Sequence, residues 1–171
     1  MLWELRDLAP AGLVPAAWLA TAAVHADVLG TDGMFVAHVV MAVFIAFFAV
    51  TGWSAMGRGA LRAWRLVLVG GLVVTLAGVA GFLGAPGEDA LLGTSLVGWM
   101  VLPAAGLVYT GRAMPGSGTV YYAGGVLSAV GAVLYVATLG GDLGGTVELV
   151  AIGVVGVGQA AGMLAGSLAG R

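Results

Sequence analysis

Both histidines of this 171-residue chain fall in one short stretch, VHADVLGTDGMFVAH at 24–38, with Asp27 and Asp32 between them. Two imidazoles and one or two carboxylates form a donor set that suits zinc or copper. Haem is the other chemistry open to these histidines. Directly packed helices stand about 8–10 Å apart, which is close for a macrocycle held between two axial ligands. A tight hairpin bearing His25 and His38 therefore suits a bare metal ion, or a haem with one histidine ligand, better than a bis-histidine haem. The same residues also have a plain structural use. Histidine is tolerated near the ends of membrane helices, and Asp32, two residues before Met34, is placed to cap a helix.

A second set lies deeper. Gln159, Trp18 and Trp99 each stand near the middle of a long apolar run. Pro103 follows Trp99 by four residues, so it deprives the Trp99 carbonyl of its helical donor, and Pro15 does the same to Ala11. A midplane amide, two indoles and freed carbonyls could line a site for a small or lipophilic solute. Alternatively, the amide bonds a neighbouring helix and the indoles fill space. A third set concerns packing. Gly158, Gly162, Gly166 and Gly170 recur every fourth residue, with Ala161, Ala165 and Ala169 in the adjacent row. Residues four apart share a helix face. Such a face lets another backbone approach closely, either from the same chain or from a second copy or partner subunit.

Several chemistries have no residues to carry them. Cysteine is absent, which removes disulfides and thiolate catalysis. Lysine is absent too, so no lysine Schiff base can form. The chain has no HExxH, no GxSxG and no Walker A loop, and no histidine stands near a serine in a recognisable dyad. The net charge of −2 gives no basic surface for nucleic acid. Near the centres of the apolar runs no ionisable residue occurs, which argues against an ion pump or proton relay.

The elements that must position these residues follow from composition. Hydrophobic residues make up 61% of the chain and charged residues 8%, against about 25% charged in a soluble domain. So little polar surface suits a lipid bilayer. Six runs reach the length of a spanning helix: 8–27, 34–56, 66–85, 90–111, 118–140 and 149–169. The sequence thus predicts one all-α, polytopic membrane domain over 1–171, a bundle of six transmembrane helices in the plasma membrane.

Charge sets the threading. Arg6, Arg58, Arg62, Arg65, Arg112 and Arg171 fall on one side of a six-span chain. Asp27, Asp32, Glu88, Asp89, Asp142 and Glu148 fall on the other. The positive-inside rule then places both termini in the cytoplasm. Trp53 and Trp64 flank the arginine loop, as an interfacial aromatic belt would. Arginine without lysine, with much Ala, Val and Gly and with acidic loops, has the look of a haloarchaeal membrane protein from a GC-rich genome. Gly-Arg pairs at 57–58, 111–112 and 170–171 close three hairpins, consistent with a parallel two-helix repeat.

Three functions are expected to compete. The first is a non-catalytic subunit or packing component of a membrane assembly, resting on the small-residue faces and the missing motifs. The second is a metal- or haem-binding electron-transfer component, resting on His25 and His38. The third is a facilitator for a small or lipophilic solute, resting on Trp18, Trp99 and Gln159.

Overall fold

The computed structural model describes the backbone of residues 2–59, 61–114, 118–141 and 143–169, and side chains from 12 to 167 within those ranges. Among the described residues six α-helices run α1 (Leu2–His25), α2 (Thr31–Gly52), α3 (Leu61–Phe82), α4 (Glu88–Ala113), α5 (Thr119–Thr138) and α6 (Gly145–Ala169). A 3₁₀ turn, Ala55–Gly57, precedes α3. No strand occurs among the described residues. In lipid a helix satisfies its backbone hydrogen bonds within itself, so long apolar runs default to it. The helices α2 to α6 are each long and apolar enough to cross a membrane, and α1 contributes a shorter apolar stretch, Gly12–His25. The protein is therefore a polytopic, all-helical membrane protein.

The helix ends differ from expectation in one instructive place. Asp32 does not cap α2: the helix begins at Thr31, its cap is Gly30, and no side chain bonds there. Asp32 instead sits in the first turn, where its charge complements the helix dipole. The turn before α4 bends through Gly87, whose φ of 78° suits a residue without Cβ. Asp27, after α1, takes a φ of 56°, a conformation that short polar side chains tolerate.

Close contacts fix the directions of the helices. Between α3 and α4, Gly71 lies against Trp99, Gly78 against Ser95 and Gly81 against Leu92. Position rises on one helix as it falls on the other, so the pair is antiparallel. Between α4 and α5, Gly125 lies against Ala104 and Val108, and Gly111 against Tyr122. Between α5 and α6, Gly124 meets Gly158 and Gly131 meets Val155. Helix α1 returns to pack on α6, with Trp18 against Gly156, while α2 packs mainly on α3. The spatial order is α2, α3, α4, α5, α6, α1.

Alternating directions gather the charges. Asp27, Asp32, Glu88, Asp89 and Glu148 stand at one end of the bundle, and Arg58, Arg62, Arg65 and Arg112 at the other. Asp142, Gly170 and Arg171 lie outside the described residues, as does the side chain of Arg6.

Adjacent glycines serve different neighbours in α5. A Cβ on Gly124 would stand 2.5 Å from the Gly158 carbonyl oxygen of α6. One on Gly125 would stand 2.8 Å from the Ala104 carbonyl oxygen of α4. Helix α5 is thus thin on two faces, and both neighbours close onto its backbone. Gly158 meets Gly124 in return, Gly162 receives the Leu107 side chain of α4, and Gly166 lies near Tyr121 of α5. Close approach of this kind gains dispersion contacts and drives association where water offers no hydrophobic force.

Candidate functional site

The buried polar groups converge on Gln159. Its side chain is 2% exposed, in the middle of α6. The Trp18 indole Nε1 of α1 donates to Gln159 Oε1 at 3.0 Å. Gln159 Nε2 donates to the Trp99 carbonyl of α4 at 2.9 Å. The Met100 carbonyl and Ser128 Oγ of α5 lie 3.3 and 3.1 Å from the same nitrogen. One amide therefore ties α1, α4 and α5 to α6. The carbonyl it reaches is the one Pro103 has freed: position 103 has no N–H to offer residue 99. A buried carbonyl without a partner is costly, and the glutamine supplies the missing donor from another helix.

Trp18, Trp99 and Gln159 are thus brought to one level, though the two indoles point to different partners. Trp99 Nε1 donates to Thr75 Oγ1 of α3 at 2.8 Å, and Thr75 Oγ1 donates to the Gly71 carbonyl at 2.7 Å. Gly71 leaves the space the ring occupies, since a Cβ there would stand 2.6 Å from it. A third indole repeats the pattern. Trp64 Nε1 donates to Thr110 Oγ1 at 3.0 Å, so Trp64 joins α3 to α4. Trp53 alone of the pair flanking the arginine loop is largely exposed.

The two histidines turn to different helices. His25 places Nδ1 2.9 Å from the Thr21 carbonyl and Nε2 3.1 Å from the Tyr135 hydroxyl of α5. His38 places Nδ1 3.0 Å from the Met34 carbonyl and Nε2 3.3 Å from Ser95 Oγ of α4. A carbonyl can only accept, so each neutral ring carries its proton on Nδ1. Nε2 then accepts from the hydroxyl. Each histidine bonds back to its own helix one turn earlier and reaches across to another. Among the described residues no three His, Asp or Glu side chains gather in a group that could hold a metal ion.

The fold brings together a histidine and a serine, His38 and Ser95, that no sequence motif links. Gly78 of α3 makes it possible: a Cβ at 78 would lie 2.6 Å from His38 Cδ2 and 2.7 Å from Ser95 Oγ. The Phe82 ring closes the other side, edge-on to the imidazole at 5.1 Å between centroids. Positions 38, 78 and 95 are remote in sequence, and only the packing of α2 and α4 against α3 joins them. Ser95 also lacks the bond to its own helix that Thr21, Thr51, Thr75 and Thr110 make four residues back. Its hydroxyl is left to His38.

Compared with protein-family models, with curated proteins and with solved structures, the chain matches none.

Proposed function

We propose that the chain is a non-catalytic subunit or packing component of a membrane assembly, spanning the plasma membrane six times with both termini in the cytoplasm. One observation carries the reading: the midplane amide, the group best suited to meet a solute, already bonds three other helices. The histidines support it in the same way, because a metal or haem would first have to displace Tyr135 or Ser95 from Nε2. Side chains that could do chemistry are engaged in holding helices together.

The test is native electrophoresis of the protein extracted from its own membrane in mild detergent, with mass spectrometry of the band. A discrete assembly containing another membrane subunit in fixed stoichiometry is the expected result. Migration as a single chain would overturn the proposal. An absorption spectrum and metal analysis of the same sample address the electron-transfer reading. A Soret band or stoichiometric metal that vanishes in His25→Ala or His38→Ala would replace the packing role with that one. The threading has its own test, since the chain has no native cysteine. A cysteine at Thr31 is expected to label from outside the cell and one at Ser54 from the cytoplasm; reversed labelling would reject the orientation.

A further inference from the structure

The passage from α2 into α3 carries three arginines, Arg58 before α3 and Arg62 and Arg65 in its first turns, and the sequence has no acidic residue from 33 to 87 to balance them. Residues 53–57 gather around one of the three, Arg65. The Arg65 guanidinium lies over the Trp53 ring at 4.2 Å from its centroid, and Nη2 donates to the Trp53 carbonyl at 2.6 Å. Gly57, at the end of the 3₁₀ turn, leaves room for that guanidinium: a Cβ there would stand 3.3 Å from Nη2. Gly59 turns the chain with a φ of 58°, and its carbonyl accepts from the Arg62 N–H at 3.2 Å. With Arg65 pinned, Arg58 and Arg62 are left exposed on either side of the turn.

We propose that this arginine turn binds the phosphate of an anionic phospholipid. Position selects the lipid. The turn joins the ends of two helices long enough to span, so its charges lie at headgroup depth. The exposed Trp53 indole beside them is of the kind that settles at that interface. Chemistry selects the phosphate, because a guanidinium offers paired N–H donors that match phosphate oxygens. The stacking of Arg65 on Trp53 and the bend at Gly59 order residues 53–59 before a lipid arrives, which lowers the entropy cost of binding. Electrostatics adds to the demand. Arg62 and Arg65 occupy the first turns of α3, where the helix dipole is positive and cations are disfavoured. An anion there relieves the repulsion. The proposal goes beyond the packing role and does not depend on it.

The experiment titrates the full-length, delipidated protein in detergent with phosphatidylglycerol or phosphatidylcholine and counts bound lipid by native mass spectrometry. The expected result is preferential binding of phosphatidylglycerol, weakened about fivefold for each of Arg58→Gln and Arg62→Gln and roughly 25-fold for both together. The variant Arg112→Gln, at the same end of the bundle but on α4, is expected to bind as the parent does. Equal binding of the two lipids, or binding unchanged in the double variant, would overturn the proposal. So would inorganic phosphate that displaces phosphatidylglycerol at millimolar concentration, since the turn would then select free phosphate over the lipid. Both variants alter exposed side chains, and circular dichroism establishes that they fold.

Discussion

Helices α2 and α5 are built for opposite surroundings. Helix α2 is the most apolar of the five helices long and apolar enough to span, and the least buried; Ile45 is its one buried residue, and Val36, Val43, Phe47 and Val50 are exposed. Helix α5 is the least apolar of the five and the most buried, and its interior residues include Gly124, Gly125, Ser128, Gly131 and Thr138. In water the ranking would run the other way. In a bilayer the solvent is itself hydrocarbon, so large apolar side chains gain nothing by leaving it. Small residues mark the inside because they allow backbones to touch, and polar residues mark it because their bonds need partners.

The sharpest way to break this contrast is to add bulk to the thin helix. Gly124→Leu or Gly158→Leu would drive a side chain into the opposing backbone, and a loss of about 3 kcal/mol or failure to fold is expected. Unfolding by SDS in mixed micelles measures it. Val43→Leu, on the exposed face of α2, makes the paired control and is expected to stay within about 0.5 kcal/mol of the parent. An equal loss at both positions would remove the distinction between the two helices.

A smaller effect is expected at the amide. Gln159→Leu leaves the Trp18 N–H and the Trp99 carbonyl without partners, a cost of about 1–2 kcal/mol. Trp fluorescence is expected to change with it, since one indole loses its acceptor. Smaller again is Ser95→Ala, which removes the cross-helix partner of His38 at a cost of about 0.5–1 kcal/mol. A Gly78→Ala change at the same place should cost more than Ser95→Ala, because its methyl group would collide with the His38 ring and the Ser95 hydroxyl rather than merely remove a bond. The reverse order, by the same SDS titration, would mean that the pocket at Gly78 relaxes freely.

The helices were legible in the sequence because a bilayer makes length and apolarity nearly sufficient for them. The run 90–111 became Glu88–Ala113, and 118–140 became Thr119–Thr138. The freed Trp99 carbonyl was also legible, because Pro103 acts within one helix at a fixed spacing. What accepts that opportunity was not. Gln159 and Trp99 are 60 residues apart, and no local rule says which face of α6 meets α4. The cross-helix partners of the histidines were out of reach for the same reason, since Tyr135 is 110 residues from His25 and Ser95 is 57 from His38. The shared loop placed His25 and His38 at similar depth, as a metal or haem site or as two helix ends, and named no partner on another helix. Helix α1 packs on α6 and α2 on α3, and each ring follows its own helix. Ser95 gave one signal, a serine two turns inside an apolar helix, but its partner required knowledge of Gly78.

The bond between Gln159 and the Trp99 carbonyl also sets an order on how this sequence can drift. With Pro103 in place, losing Gln159 strands a buried carbonyl. With Pro103 replaced by alanine, the helix supplies its own donor to residue 99, and the amide can be lost afterwards at smaller cost. The accessible route away from the pair therefore passes through position 103 first. Among descendants of this chain, a glutamine without its proline is an expected intermediate, and a proline without its glutamine is not.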